Sequence, residues 1–244
     1  MRTLVLLGSG EFTQAMDETD TYLLSFPKES YEFEDKSVAI LPTAAGQEEN
    51  WQKWIDDGVS HFTKLGAKAY GVPVVKRQDT MNSDYLSQVE KASLIYFSGG
   101  EPGYLHQVFV GSLLWDAIIA AYKKGQIVAG SSAGAMVLGS WTLANGQNVF
   151  FKNAEPVWEK AFSIVNYTIF PHYDFAKREK EEVVEKVMRT APKQVGKAWI
   201  GIDEDTALIL INETDAKVMG KGNVYVTRDA IETVHSHGED FILP

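Results

Sequence analysis

The stretch that most constrains this chain runs from Gln126 to Met136. There the apolar run Ile127-Val128-Ala129 ends in Gly130, and an Ala-rich segment follows Ser132. Between them lies G-x-S-x-G, as Gly130-Ser131-Ser132-Ala133-Gly134. In a strand-to-helix turn this pattern presses a serine hydroxyl outward at the carboxyl edge of a sheet. The glycines answer a steric demand, because a strained turn leaves no room for side chains beside the exposed serine. The amide of Ala133 would then help hold a developing oxyanion. The spacing selects Ser132 rather than its neighbour Ser131.

The first half of the chain supplies a sheet around that turn. Leu4-Val5-Leu6-Leu7 reads as a buried strand ended by Gly8-Ser9-Gly10, and Lys36 to Thr43 as a second that stops at Pro42. A dinucleotide fingerprint at Gly8-Ser9-Gly10 fails, because its third glycine would fall on Thr13. From Gln47 to Leu65, Trp51, Trp54, Ile55, Val59, Phe62 and Leu65 recur at helical spacing, with Gly66 as the stop. A strand over Ala69 to Val75, a short helix over Tyr85 to Lys91 and a strand over Ser93 to Gly100 follow. Helical stretches through Tyr104 to Val108 and Leu113 to Tyr122 then lead into the elbow strand. Strands alternating with helices predict an α/β fold: a three-layer, doubly wound, mostly parallel sheet with helices on both faces. Catalytic groups in such sheets gather at the carboxyl ends of the strands, which brings Gly99-Gly100 towards Ser132.

The second half changes character. Asn145 to Trp158 reads as a long loop, Ser163 to Phe170 as a strand ending in Pro171-His172-Tyr173, and Lys177 to Arg189 as a charged helix. From Ala198 onward, short apolar runs predict extra antiparallel strands and hairpins. No repeat, low-complexity segment or linker interrupts the chain, so residues 1–244 are expected to form one domain.

Composition narrows the chemistry. The chain has no cysteine, which removes thiolate nucleophiles, disulfides and cysteine-based zinc sites. A net charge of -10 argues against nucleic acid and anionic membrane as partners. The N-terminal apolar run is too short for a signal segment, and nothing reaches the length of a membrane span, so a cytoplasmic location is expected.

A serine at an elbow needs a base, and the base an orienting acid. Of five histidines, His61 falls inside the amphipathic helix as a surface or boundary residue, and His106 lies a helical turn beyond the glycine pair. His235 and His237 alternate on a terminal strand without a third ligand, so no metal site is predicted. His172 directly follows a strand and a proline, on the edge where Ser132 should lie. Gly201-Ile202-Asp203-Glu204-Asp205 offers three carboxylates between apolar runs, and Asp174 stands two residues after His172. The order serine, histidine, acid departs from the serine, acid, histidine order of α/β-hydrolases and points to another parallel-sheet scaffold.

Four blocks together carry a resemblance: Phe97-Ser98-Gly99-Gly100, Gly130 to Ala135, Phe170-Pro171-His172-Tyr173 and Gly201 to Ala207. In this order they resemble the serine peptidase family of dipeptidase E (aspartyl dipeptidase) and cyanophycinase, whose fold is similar to class I glutamine amidotransferases. The resemblance covers residues 1 to about 210. It implies Ser132 as nucleophile, His172 as general base and Glu204 as orienting acid, with Asp203 and Asp174 left open as alternatives. It also implies an oxyanion hole from the amides of Gly100 and Ala133. Arg178, matching a family arginine on the substrate side, and Glu101 are the substrate-binding candidates. Where the cyanophycinase branch carries Asp-Gln after the glycine pair, this chain has Glu101-Pro102, so that branch's polymer substrate is not carried over. The implied substrates are small peptides or isopeptides, with aspartyl-type amides first. No cofactor or metal is implied, and the oligomeric state stays open, with a homodimer among the options. Esterase or amidase action through the same three residues, and a noncatalytic regulatory protein of the same fold, are the rival readings.

Overall fold

The structure, a computed structural model, describes residues 1–26 and 33–244. In the first half, strands and helices alternate as expected. They are β1 (Thr3–Leu7), α1 (Asp17–Leu24), β2 (Ser37–Leu41), α2 (Gln52–Lys64), β3 (Lys68–Gly71), α3 (Ser83–Lys91), β4 (Leu94–Phe97), α4 (Pro102–Phe109), α5 (Leu113–Lys123), β5 (Ile127–Ser131) and α6 (Ala133–Leu138). The second half is built of shorter pieces. They are β6 (Trp141–Leu143), α7 (Gly146–Lys152), β7 (Trp158–Lys160), β8 (Thr168–Phe170), α8 (Tyr173–Glu179), α9 (Glu181–Thr190), β9 (Ala198–Ile202), β10 (Thr206–Ile211), β11 (Asp215–Gly220), β12 (Asn223–Arg228), β13 (Ile231–Ser236) and β14 (Asp240–Ile242).

The main sheet has eight strands in the order β14-β11-β10-β1-β5-β4-β2-β3. From β1 to β3 every pairing is parallel, whereas β10, β11 and β14 add on antiparallel. The central parallel strands β1, β2, β4 and β5 are buried along their length and mostly apolar because both faces are covered. Alternate residues divide them between two cores. Leu4, Leu6, Ile95, Phe97 and Val128 face a cluster that includes α3, α4, α5 and α6 residues such as Val89, Phe109, Ile118 and Val137. Val5, Leu7, Leu94, Tyr96 and Ala129 face the opposite cluster, with Leu23 of α1 and Phe62 of α2. The predicted helix–sheet–helix layering and the antiparallel C-terminal strands are therefore both present.

Three expectations change in the second half. The loop expected over 145–158 contains α7, whose first amides are capped by Glu101 from far away in the chain: Gly146 N and Gln147 N donate to its carboxylate at 2.8 and 3.0 Å. The single charged helix is two, because the backbone leaves helical geometry at Lys180 (φ -138°, ψ 31°). The strand before His172 is only β8, and it belongs to a second sheet of order β13-β12-β9-β8 rather than to the main one. Among the described residues, no single helix is long and apolar enough to cross a membrane.

Candidate active site

The elbow forms where β5 hands over to α6. Ser132 sits at φ 51° and ψ -113°, a backbone conformation that costs an L-residue on the order of 1–3 kcal/mol and persists only when its surroundings impose it. Ser132 N donates to Leu7 O at 3.0 Å, and Met136 N donates back to Ser132 O at 3.0 Å. Packing accounts for both glycines of the motif. A Cβ on Gly130 would lie 2.5 Å from the Gly134 backbone, and one on Gly134 would lie 2.6 Å from Phe97 O. The turn can therefore be this tight only with two glycines.

His172 opens α8 with φ 51° and ψ 36° and makes no capping bond with its ring, which leaves both nitrogens available. Its backbone N donates to Gly8 O at 3.3 Å, so the end of β1 helps hold the histidine. With the proton assigned to Nδ1, the ring donates to Glu204 Oε1 at 2.8 Å and Nε2 accepts from Ser132 Oγ at 2.9 Å. The two side chains are 37% and 41% exposed, so the pair is open to a ligand from solvent.

The structure also separates the candidate acids Glu204, Asp203 and Asp174. Glu204 is on the histidine. Asp174 Oδ1 accepts from Glu204 N at 2.9 Å and thus holds the loop. Asp203 is buried, with Oδ2 accepting from Asn223 N at 2.9 Å, and burial pushes its carboxyl above the ordinary range. Of the three, only Glu204 touches the ring.

Gly100 and Ala133 both line the cleft beside Ser132, and neither amide has a hydrogen-bond partner among the described residues. Gly100 adopts φ 139°, and a Cβ there would lie 2.4 Å from the Ala44 backbone. Two free amides beside a serine hydroxyl have the composition an oxyanion hole requires. The loops that carry them are joined by Glu11, which the sequence reading passed over. Its carboxylate accepts from Gly99 N at 3.0 Å and from Ser131 Oγ at 2.7 Å. No local signal marks it: Glu11 follows β1, whose last residue meets Ser131 only through the pairing of β1 with β5.

The cleft has a volume of about 330 Å³ and walls that are mostly apolar, with Met136, Leu143, Phe150, Phe170, Phe175, Val187, Met188 and Trp199 among the lining residues. Tyr173 stands beside His172, and burial pushes its phenol up to about 12, so it remains neutral. The two substrate-side candidates are elsewhere. Arg178 is exposed, lies outside the lining and donates to Glu179 at 2.9 Å. Glu101 caps α4 and α7 through three amides, with its carboxyl pushed up by burial. Arg178 pairs with its neighbour on the exposed side of α8, and capping occupies Glu101.

The other histidines go to other tasks. His61 is buried rather than at the boundary, 2.7 Å from Asp20. His106 lies 3.3 Å from Glu159. His235 stacks on Phe241, and Gly220 N donates to His237 Nδ1. Among the described residues, no three metal-ligating side chains come together.

Known proteins resemble this chain in sequence and fold. The family model of peptidase family S51 matches residues 4–218. A crystal structure of a peptidase from an acI-B1 Actinobacterium superposes with a TM-score of 0.85 at 30% identity, covering 99% of this chain and 97% of that one. The cyanophycinase of Geminocystis herdmanii is 29% identical over 209 residues, covering 84% of this chain and 74% of that protein. A peptidase E-type protein of Listeria monocytogenes shares the fold at a TM-score of 0.62 and 18% identity. Fold and relatives together define a serine-type peptidase. The chain belongs to peptidase family S51.

Proposed function

We propose that the chain hydrolyses small peptide amides through an acyl-enzyme on Ser132. The observation that carries this reading is the continuous hydrogen-bond path from Ser132 Oγ through His172 to Glu204. In the first step Ser132 Oγ attacks the amide carbonyl while His172 Nε2 takes its proton. Glu204 holds the Nδ1 proton and stabilises the imidazolium that forms. The amides of Gly100 and Ala133 stabilise the tetrahedral oxyanion, each worth about a hundredfold or more in rate. Its collapse breaks the C–N bond, with His172 returning the proton to the departing amine. Water then hydrolyses the ester through the same base. Cleft volume favours short substrates, since a ~330 Å³ space lies at the lower end for ligand sites.

The test is hydrolysis of a dipeptide panel (N-terminal Asp, β-Asp and neutral residues), read by mass spectrometry for the wild type and Ser132→Ala. The expected result is cleavage by the wild type alone, with covalent labelling by a serine-directed fluorophosphonate lost in Ser132→Ala. Cleavage that survives Ser132→Ala would overturn the assignment.

A further inference from the structure

Resting on that reading, we propose that Lys180 is the substrate's carboxylate reader and that the residue beside the scissile amide carries a bulky apolar side chain. The walls next to Ser132 are apolar, formed by Met136, Leu143, Phe150, Phe175, Val187 and Met188. An aspartyl side chain seated against these six residues would lose its hydration without a partner among them. An aromatic or branched aliphatic side chain would instead gain from the burial.

Among the described residues, Lys180 is the one Lys or Arg lining this cleft. It occupies the break between α8 and α9, where the backbone leaves helical geometry, and it lines the cleft. The residue is half-buried, and among the described residues its ammonium makes no hydrogen bond or ion pair. Neighbouring cations are engaged elsewhere: Arg178 with Glu179, Lys186 with Asn153 and Ala154, and Lys177 over the Tyr173 and Tyr225 rings. A half-buried ammonium bordered by hydrocarbon lacks a counterion that a ligand carboxylate can supply, in a setting where the attraction is screened less than in water. That carboxylate comes either from the free C-terminus of a short peptide or from an acidic side chain. The two sources share one chemistry, and end-blocking separates them.

The experiment compares Phe-Phe, Phe-Phe-amide, Asp-Phe and Asp-Phe-amide with wild type, Lys180→Met and Lys180→Arg, measuring kcat and KM for each. Fluorophosphonate labelling of Ser132 and the Ser132→Ala variant run alongside. The wild type is expected to cleave Phe-Phe best, roughly tenfold better in kcat/KM than its amide, as one partly screened ion pair allows. Lys180→Met should raise KM for Phe-Phe by about the same factor, leave Phe-Phe-amide unchanged and keep kcat, whereas Lys180→Arg should retain the preference. A preference for Asp-Phe and Asp-Phe-amide that Lys180→Met removes would place the carboxylate on the side chain and overturn the apolar half. Equal rates for acids and amides, or Lys180→Met indistinguishable from wild type, would overturn the lysine's role while Ser132 labelling left the peptidase reading intact. No cleavage and no labelling, or cleavage surviving Ser132→Ala, would remove both.

Discussion

Two histidine–carboxylate pairs in this molecule are nearly superimposable as distances and opposite in consequence. His172 Nδ1 lies 2.8 Å from Glu204, and His61 Nε2 lies 2.7 Å from Asp20. The first pair is 37% and 41% exposed, and its remaining ring nitrogen accepts from a serine held in a strained turn. The second is 4% and 0% exposed and joins α2 to α1, with the other ring nitrogen 3.7 Å from Asp17 Oδ1. A short His–carboxylate contact therefore does not mark a reaction centre. What separates the pairs is the third partner and access for a ligand: one is wired to a nucleophile at a cleft, the other is an interior fastening.

The sharpest break of this comparison is a crossed pair of variants. His172→Asn keeps a residue tolerant of the left-handed backbone, and it should lower kcat/KM by about 10⁴-fold or more while shifting stability by no more than about 1 kcal/mol. His61→Ala should do the reverse. Leaving Asp20 buried without its partner should cost about 3 kcal/mol in urea unfolding, with kcat/KM unchanged well below the transition. Equal activity losses from the two substitutions would erase the distinction.

Glu11 tests whether the reactive corner depends on its supports. Glu11→Leu removes both hydrogen bonds, to Gly99 N and Ser131 Oγ. We expect kcat to fall about tenfold to a hundredfold with KM little changed, and fluorophosphonate labelling to slow in parallel. Unchanged labelling would show that the two loops hold their geometry without it.

The smallest expected effect is a pH slope. Burial, the largest influence, raises Asp20 above its ordinary value of 3.8, with the His61 hydrogen bond opposing. The folded state therefore holds this proton more tightly than the unfolded one. Its stabilising contribution is complete below the unfolded pKa and is lost as pH rises through the folded pKa. Asp20→Asn removes that titration, so its urea midpoint relative to wild type should rise with pH from the acid side towards neutral. A constant difference would mean that Asp20 does not titrate between the two states.

Several parts of the fold were legible because their causes are local. The α2 stripe of Ile55, Phe62 and neighbouring apolar residues has helical spacing, and Gly66 beyond it takes φ 87°. The α7 helix was not legible, because the carboxylate that caps it belongs to Glu101, 45 residues earlier. Nor was the break at Lys180, in a charged run without proline or glycine to announce it. His61 read as a boundary residue because α2 by itself cannot reveal that Asp20 covers it.

The sequence by itself determined the alternation of buried strands and helices, the turn at Ser132, the exclusion of thiol chemistry and a short set of histidines and acids. These follow from periodicity, from sterics within a few residues and from composition, none of which needs a partner far along the chain. Tertiary structure alone decided that Glu204, rather than Asp203 or Asp174, meets His172. It also turned Arg178 outward and Lys180 to the cleft, set Glu11 beneath two loops and lined the space beside Ser132 with hydrocarbon. Each of those outcomes depends on which distant segments the sheet brings to one edge, and a side chain's partner there is chosen by distances that no local pattern encodes.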